Sequence, residues 1–269
     1  MKLKTTIFAG LTALAASMTF AAANTAQLDT EIKIVNAGSD SGTFRQILNM
    51  MGEYFNHSFI QAGSPEVAGL NYTGENILTV WSSEYPANST VELDVNQENL
   101  VALMVYETLV CSREFNSFAE MNGQTVQIAT WGNGTTSRYV EKLGEQHNIN
   151  FEIVPYNGSG AITQGYLGKD ADTVLNITSR QPAMEEDSAT NCFAFSARGD
   201  LDFAFVDAVV SVNAEAEITQ SLRQIAETMS QTTEFQDSFK GLSFKVATDD
   251  NQEQLIADYE TAVINFTAE

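Results

Sequence analysis

Three glycine-rich turns stand where strand-like segments give way to helix-like ones. Ala37-Gly38-Ser39-Asp40-Ser41-Gly42-Thr43 follows Ile32–Asn36. Thr130-Trp131-Gly132-Asn133-Gly134-Thr135-Thr136-Ser137 follows the strand-like Thr125–Ala129, and Tyr156-Asn157-Gly158-Ser159-Gly160-Ala161 follows Phe151–Pro155. Glycine lets a backbone come close to a ligand, and the free N–H groups of a helix's first turn attract anions. Any one of these turns is explained as an ordinary tight βα connection. Three together, each with Ser, Thr or Asn beside the glycines, point to a site for a small anion built from backbone and hydroxyl groups.

Other chemistries fit less well. Gly132-Asn133-Gly134 is not followed by Gly-Lys-Ser/Thr, so it is no P-loop, and Gly38–Gly42 is not a full G-x-G-x-x-G. The G-x-S-x-G elbow of hydrolases is absent. A Ser-His-Asp triad would have to use His57 or His147, both in polar stretches that read as solvated surface. Cys111 and Cys192 are the two cysteines, with no C-x-x-C and no metal-like spacing. Two readings of them stay open: a disulfide in an exported chain, or two buried thiols. No cofactor is expected.

The turns need a scaffold, and the chain alternates strand and helix signals as a parallel α/β protein does. Ile32–Asn36 reads as a strand and Thr43–Tyr54 as a helix, with Phe44, Ile47, Leu48, Met51 and Phe55 on one stripe. Ser58–Gln61 reads as a short strand, Ala62–Glu75 as loop, and Asn76–Trp81 as a strand. Leu100–Cys111 is a long apolar run, read as a strand passing from one domain into another. Two strand–turn–helix units follow, ending in helices at Ser137–His147 and Ala161–Leu167. Thr173–Asn176 and Cys192–Ser196 read as strands, Arg180–Asp187 as a helix, and Leu201–Val212 as strand-rich. Ile218–Met229, Thr233–Phe239 and Gln252–Phe266 read as helices around a strand at Ser243–Val246.

The ends and the composition narrow the setting. Lys2 and Lys4, the apolar Ile7–Ala16 and the small residues Ala21-Ala22-Ala23 have the form of a cleaved secretory signal over residues 1–23. The apolar run is too short to cross a bilayer, so no membrane insertion is expected after cleavage. A chain of 269 residues can form one large domain or two small ones. Its formal charge of −22 argues against nucleic acid and anionic membranes as partners. Binding an anion on so negative a chain needs local positive potential, which helix N-termini supply.

At this point the residues resemble a family. Ala129–Arg138 is similar to the S-P-G-N-G-S-x-S-H turn of the tripartite tricarboxylate transporter receptors, the TctC or Bug group. Val154–Ala161 followed by Leu167–Asp172 is similar to that family's V-P-Y-K-G-G/S-G-P-A and L-L-G-G-Q-V-D blocks, in the same order and spacing. Gly38–Thr43 resembles its first turn more loosely. The chain departs from the family pattern at Arg138, where His is common, and at Asn176, where Asp is common. A strand–helix unit between Tyr54 and Asn76 is expected to be trimmed. The resemblance implies a two-lobed, type II periplasmic-binding α/β fold. Each lobe would be a mainly parallel sheet flanked by helices, the two joined by crossing strands, with no enzymatic activity. It implies lobe 1 over 28–110 plus 201–266 and lobe 2 over 111–200, crossing at Val110–Arg113 and Phe193–Ala197. Cys111 and Cys192 would sit at that crossing.

The function expected on this basis is an exported, periplasmic, monomeric solute-binding protein. It would capture a small organic anion, a carboxylate, between the lobes for membrane transporter subunits. Phosphate, a sulfur oxyanion or an amino acid is the alternative ligand, and an exported hydrolase the alternative class. Candidate ligand contacts are Ser39, Asp40, Ser41, Gly42 and Thr43 in the first turn; Trp131, Asn133, Gly134, Thr135, Thr136 and Ser137 in the second; and Asn157, Gly158, Ser159 and Gly160 in the third. Trp81, Ser82 and Asn176 complete the set, the two tryptophans read either as aromatic walls against the ligand's carbon skeleton or as core packing.

Overall fold

The computed structural model describes residues 28–36, 43–62, 65–82, 94–131, 135–156, 159–195 and 208–267. The signal-like segment 1–23 lies outside them. Two mixed sheets, each flanked by helices, make up the described fold.

The first sheet has the order β11-β4-β10-β3-β1-β2. Its strands are β1 (Leu28–Asn36), β2 (Phe55–Gln61), β3 (Ile77–Ser82), β4 (Leu100–Tyr106), β10 (Ala208–Asn213) and β11 (Leu242–Val246). β1 pairs in parallel with β2 and β3, whereas β10 runs antiparallel to both β3 and β4. The mixture arises because β10 brings the chain back from the second sheet and must run against the outgoing β4. Side chains alternate between two faces, as a pleated strand requires. Ile32, Ile34, Leu78 and Val80 meet α1 (Thr43–Gly52), α7 (Ala216–Ser230) and α8 (Thr233–Ser238) on one face. Val35, Ile77 and Leu103 meet α2 (Pro65–Tyr72) and α9 (Gln252–Thr267) on the other. Ile47, Leu48 and Met51 of α1 are wholly buried. Each such side chain removed from water contributes about 1.5–3 kcal/mol before entropy is counted.

The second sheet has the order β7-β6-β8-β5-β9. Its strands are β5 (Thr108–Ser112), β6 (Thr125–Trp131), β7 (Asn150–Tyr156), β8 (Thr173–Ile177) and β9 (Asn191–Phe195). β6 pairs in parallel with β7 and β8, and β5 runs antiparallel to β8 and β9. α3 (Phe118–Met121) and α4 (Thr135–His147) cover one face, and α5 (Ser159–Leu167) and α6 (Gln181–Met184) cover the other. The apolar run Leu100–Cys111 is two strands, one in each sheet, broken at Glu107. The second sheet therefore begins at Thr108. Cys111 faces Cys192 across β5 and β9, and the two are joined as a disulfide with Cα atoms 4.1 Å apart.

Two expectations are corrected here. Residues 62–75 are not a loop but contain α2, and β2 starts at Phe55 rather than Ser58. The strand–helix unit expected to be trimmed is thus present. Pro65 opens α2 at the position where proline's missing N–H costs nothing.

Candidate functional site

β6 and β7 end level with each other, Thr130 opposite Pro155 and Trp131 opposite Tyr156. The chain then leaves each strand through a glycine turn into a helix, α4 after β6 and α5 after β7. Alternation on β6 separates the two helices. Val126 and Ile128 pack with Tyr139, Val140 and Leu143 of α4, while Ala129 packs with Ile162 and Tyr166 of α5. Two helix N-termini therefore stand at one edge of the sheet, on opposite faces. Each carries partial positive charge on unsatisfied N–H groups.

The α5 end is tied to the neighbouring strand by a closed network. Asn176, fully buried near the end of β8, donates from Nδ2 to the Ser159 carbonyl at 3.2 Å and to Thr163 Oγ1 at 3.1 Å. Its Oδ1 accepts from the Ile177 backbone N–H at 2.9 Å. The Thr163 hydroxyl in turn donates to the Ser159 carbonyl at 2.8 Å. Both Asn176 amide hydrogens are therefore spent on holding α5. Asn176, expected as a ligand contact, thus ties the start of α5 to the end of β8. Ser159 is half-buried at the first position of α5, and Gly160 is exposed beside it.

The α4 end differs. Thr130, fully buried in β6, has a hydroxyl with no hydrogen-bond partner. Its position in the alternation puts it on the α4 face with Val126 and Ile128. Deeper under the same helix the Tyr139 hydroxyl is paired with Thr108 Oγ1 at 3.1 Å. Ser137 is half-buried in the first turn of α4. Arg138 points outward and pairs with Glu141 at 3.2 Å. The backbones of Trp131, Thr135 and Thr136 belong to β6 and α4, but their side chains, with Asn133 and Gly134, lie outside the described residues. Asn157 and Gly158 lie outside them as well.

In the first sheet, Ser39, Asp40, Ser41 and Gly42 are outside the described residues, and Thr43 begins α1, half-buried. Two residues on, Arg45 lays its guanidinium over the Phe59 ring, 3.4 Å from the centroid. Sequence reasoning passed over this cation, whose signal was a lone Arg in the first turn of a helix after a glycine turn. Ser82 closes β3 opposite Ala208. Trp81 packs in the core and is 1 % exposed. Its indole N–H donates to Ser211 Oγ at 2.7 Å, and Tyr72 meets it edge-on at 5.2 Å. Burial pushes the Tyr72 phenol up to about 12, so it stays neutral. The alternation that places Val35 and Ile77 on the α2–α9 face carries Trp81 inward with them.

The two sheets meet at Glu107. Its N–H donates to the Gly241 carbonyl at 2.6 Å, and its carbonyl accepts from the Thr178 N–H at 3.0 Å. Gly241 has φ of 82°, and a Cβ there would lie 1.8 Å from Thr178 Oγ1. Only glycine satisfies both conditions. α9 adds a second bridge by packing on both β4 and α4.

Other features lie away from these turns. A surface hollow of about 450 Å³ opens where β6 and β7 begin, the opposite end of the sheet, and Glu141 and Glu145 line it. Those carboxylates would repel an anion. His57 lies between Phe55 and Phe59 on β2, and His147 stacks on Phe118, 4.4 Å between centroids. Among the described residues neither meets a nucleophile. Among the described residues no cluster of His, Cys, Asp and Glu could hold a metal ion. No described helix is long and apolar enough to cross a membrane.

No protein-family model and no curated protein matches the sequence. Solved structures do. A TctC solute-binding protein from Polaromonas superposes with a TM-score of 0.62 at 10% identity, over 87% of this chain and 97% of that one. An R. palustris protein with adipate gives 0.58 at 11%, over 89% and 98%. The periplasmic binding protein BugD gives 0.57 at 12%, over 87% and 95%. At such identities the likeness is one of fold. The chain has the two-lobed α/β fold of periplasmic binding proteins, and the structures it resembles include TctC and Bug solute-binding proteins.

Proposed function

We propose that the protein is an exported, non-enzymatic solute-binding protein that holds a small carboxylate between two lobes and presents it to membrane transporter subunits. The first lobe is built on β1–β4, β10 and β11, the second on β5–β9. The observation that carries this reading is the pair of helix N-termini at one edge of the second sheet, α4 after β6 and α5 after β7. Aligned peptide dipoles and free N–H groups there favour a negative ligand on a chain whose formal charge is −22. Arg45 gives the first lobe a cation close to its own glycine turn. The adipate carried by one structure of the same fold is a dicarboxylate, which supports the ligand class. Residues 1–23 fit this role as a cleaved export signal to the periplasm.

Thermal-shift measurements on the mature protein test the reading. The probes are mono- and dicarboxylates of two to six carbons, inorganic phosphate, methanesulfonate and amino acids, each followed by calorimetry. Stabilisation by a carboxylate, with the probe recovered unchanged, is the expected result. Stabilisation by phosphate, the sulfonate or an amino acid alone would reassign the ligand. Turnover of a carboxylate ester by the same preparation would replace binding with hydrolysis.

A further inference from the structure

We infer that Thr178 and Gly241 form a mechanical stop at the crossing between the sheets, and that this stop, with α9 as a strap, fixes the angle between the two lobes. The geometry stands by itself; its consequence for binding rests on the reading under Proposed function. β3 and β4 both run antiparallel to β10, so the chain leaves the first sheet at the end where β1 and β3 finish. β8 is parallel to β6 and antiparallel to β5, with Ile177 opposite Thr108. The chain therefore enters the second sheet at the end where β6 and β7 finish. Any change of angle at Glu107 changes the separation of those two edges.

Glu107 is held from both sides. Its N–H extends the β4–β11 ladder to the Gly241 carbonyl, and its carbonyl extends the β5–β8 ladder to the Thr178 N–H. Gly241, one residue before β11, and Thr178, one residue after β8, thus meet edge to edge, one from each lobe. They leave no slack: a Cβ on Gly241 would lie 1.8 Å from Thr178 Oγ1 and 3.2 Å from Thr178 Cβ. Thr178 Oγ1 is buried there without a hydrogen-bond partner among the described residues, so what it brings to the contact is bulk on a stiff, β-branched side chain. α9 works in the other sense. Its Leu255, Tyr259 and Ala262 share one buried cluster with Leu103 of β4 and with Val140 and Leu143 of α4, so drawing the lobes apart exposes apolar surface. The contact resists approach at the crossing, and the helix resists separation. Packed interiors shift between discrete arrangements rather than deforming continuously, so a stop one atom deep can set an angle.

Residual dipolar couplings of the mature protein without ligand test this, since they report how the two lobes are oriented. Gly241→Ala should turn the lobes relative to each other by about 5° or more, and adding Thr178→Ala to the same chain should restore most of the wild-type orientation. The unfavourable φ of an alanine at position 241 remains in that double variant, so rescue separates the stop from backbone strain. Thr178→Ala alone should loosen the lobes, giving them alignment tensors of unequal size, whereas Thr178→Val keeps the shape and should match wild type. If Gly241→Ala only melts lower, with its lobes oriented as in wild type, and Thr178→Ala stays as rigid as wild type, the contact is ordinary packing and the inference falls. If Gly241→Ala does not fold, the Thr178 pair decides: equal behaviour of the alanine and valine variants overturns the stop. Calorimetry reads the consequence for binding. The better of succinate and adipate should bind Gly241→Ala about fivefold or more weaker than wild type. Turned lobes with an affinity within about twofold of wild type would keep the stop and overturn the placement of the site between the lobes. If neither acid binds the wild-type protein, the reading of function falls and the couplings still decide the stop.

Discussion

The α4 and α5 turns look alike as sequence and are built in opposite ways. Both follow a parallel strand, both carry Gly-x-Gly, and both open a helix flanked by hydroxyl residues. At α5 the described polar groups are turned inward: Asn176, Thr163 and the Ser159 carbonyl satisfy one another. At α4 the hydroxyl of Thr130, near the end of the strand that leads into the helix, is buried with nothing to bond. The difference teaches that a glycine turn with hydroxyls is not by itself a binding element. What distinguishes a scaffold from a site is whether its hydrogen-bond capacity has already been used.

The strongest test of that contrast is Asn176→Leu. It removes two donated bonds and leaves the half-buried Ile177 N–H without this acceptor. We expect a loss of about 3 kcal/mol, or on the order of 10 °C in melting temperature. Loss of ligand affinity without loss of stability would show that Asn176 faces the ligand and would erase the distinction between the turns.

The helices' interior glycines sharpen the comparison in a second way. A Cβ on Gly144 of α4 would lie 2.6 Å from the Ile149 carbonyl oxygen, which is backbone and anchored by the adjoining strand β7. A Cβ on Gly165 of α5 would meet the Tyr156 ring at 2.5 Å, which is the far end of a movable side chain. Gly144→Ala should therefore cost about 2 kcal/mol despite alanine's better helix propensity, and Gly165→Ala should stay within about 1 kcal/mol of wild type. Chemical denaturation of the two variants measures the difference. Equal costs would mean that Tyr156 is held as firmly as a strand.

Much of this frame is legible in the sequence, and the illegible parts have physical reasons. The β6–α4 and β7–α5 units are marked by apolar strands ending at glycine turns, and the sheet crossing by one apolar run from Leu100 to Cys111. Each of these is local. The pairing of Asn176 with Ser159 spans seventeen residues and depends on α5 lying over the end of β8, which no spacing reveals. Trp81 looked like a ligand wall because it stands near a strand end. Its inward face is set by the alternation of β3 and by Ser211, one hundred and thirty residues away. The unpaired hydroxyl of Thr130 is of the same kind, visible only once its neighbours are placed.

Thr130→Val reverses the sign expected for Asn176→Leu. Removing a buried, unpaired hydroxyl should raise the stability of the unliganded protein by about 1 kcal/mol. Differential scanning calorimetry without ligand decides it. A drop in stability would mean that the hydroxyl has a bonding partner in the unliganded protein, and the two turns would then be alike in having their polar groups satisfied.

The smallest effect concerns the far end of α5, held as firmly as its beginning. Arg113 stacks on the Tyr166 ring, 4.0 Å from its centroid, and donates to the Tyr166 carbonyl at 2.6 Å and the Ala171 carbonyl at 3.1 Å. Asp187 accepts from Arg113 Nε at 2.8 Å, and this bond, with one from the Ala189 N–H, holds its carboxyl below the usual aspartate value. A carboxylate whose pKa is depressed by folding contributes stability that is present above the unfolded value, near 3.9. That contribution is lost as the pH falls through the lower, folded value. Melting temperature should therefore decline below about pH 4, and Asp187→Asn should flatten part of that decline while lowering the plateau slightly at neutral pH. The change is small because the pair is partly open to solvent and Arg113 keeps its two carbonyl partners when Asp187 is neutralised. α4 ends differently: Phe118 stacks on His147, Asn122 Nδ2 donates to the His147 carbonyl at 3.0 Å, and the chain leaves through Asn148 at a φ of 55°. An Asp187→Asn profile parallel to wild type throughout would mean that the carbonyl bonds alone fix Arg113, and the acid sensitivity would then belong to other carboxylates.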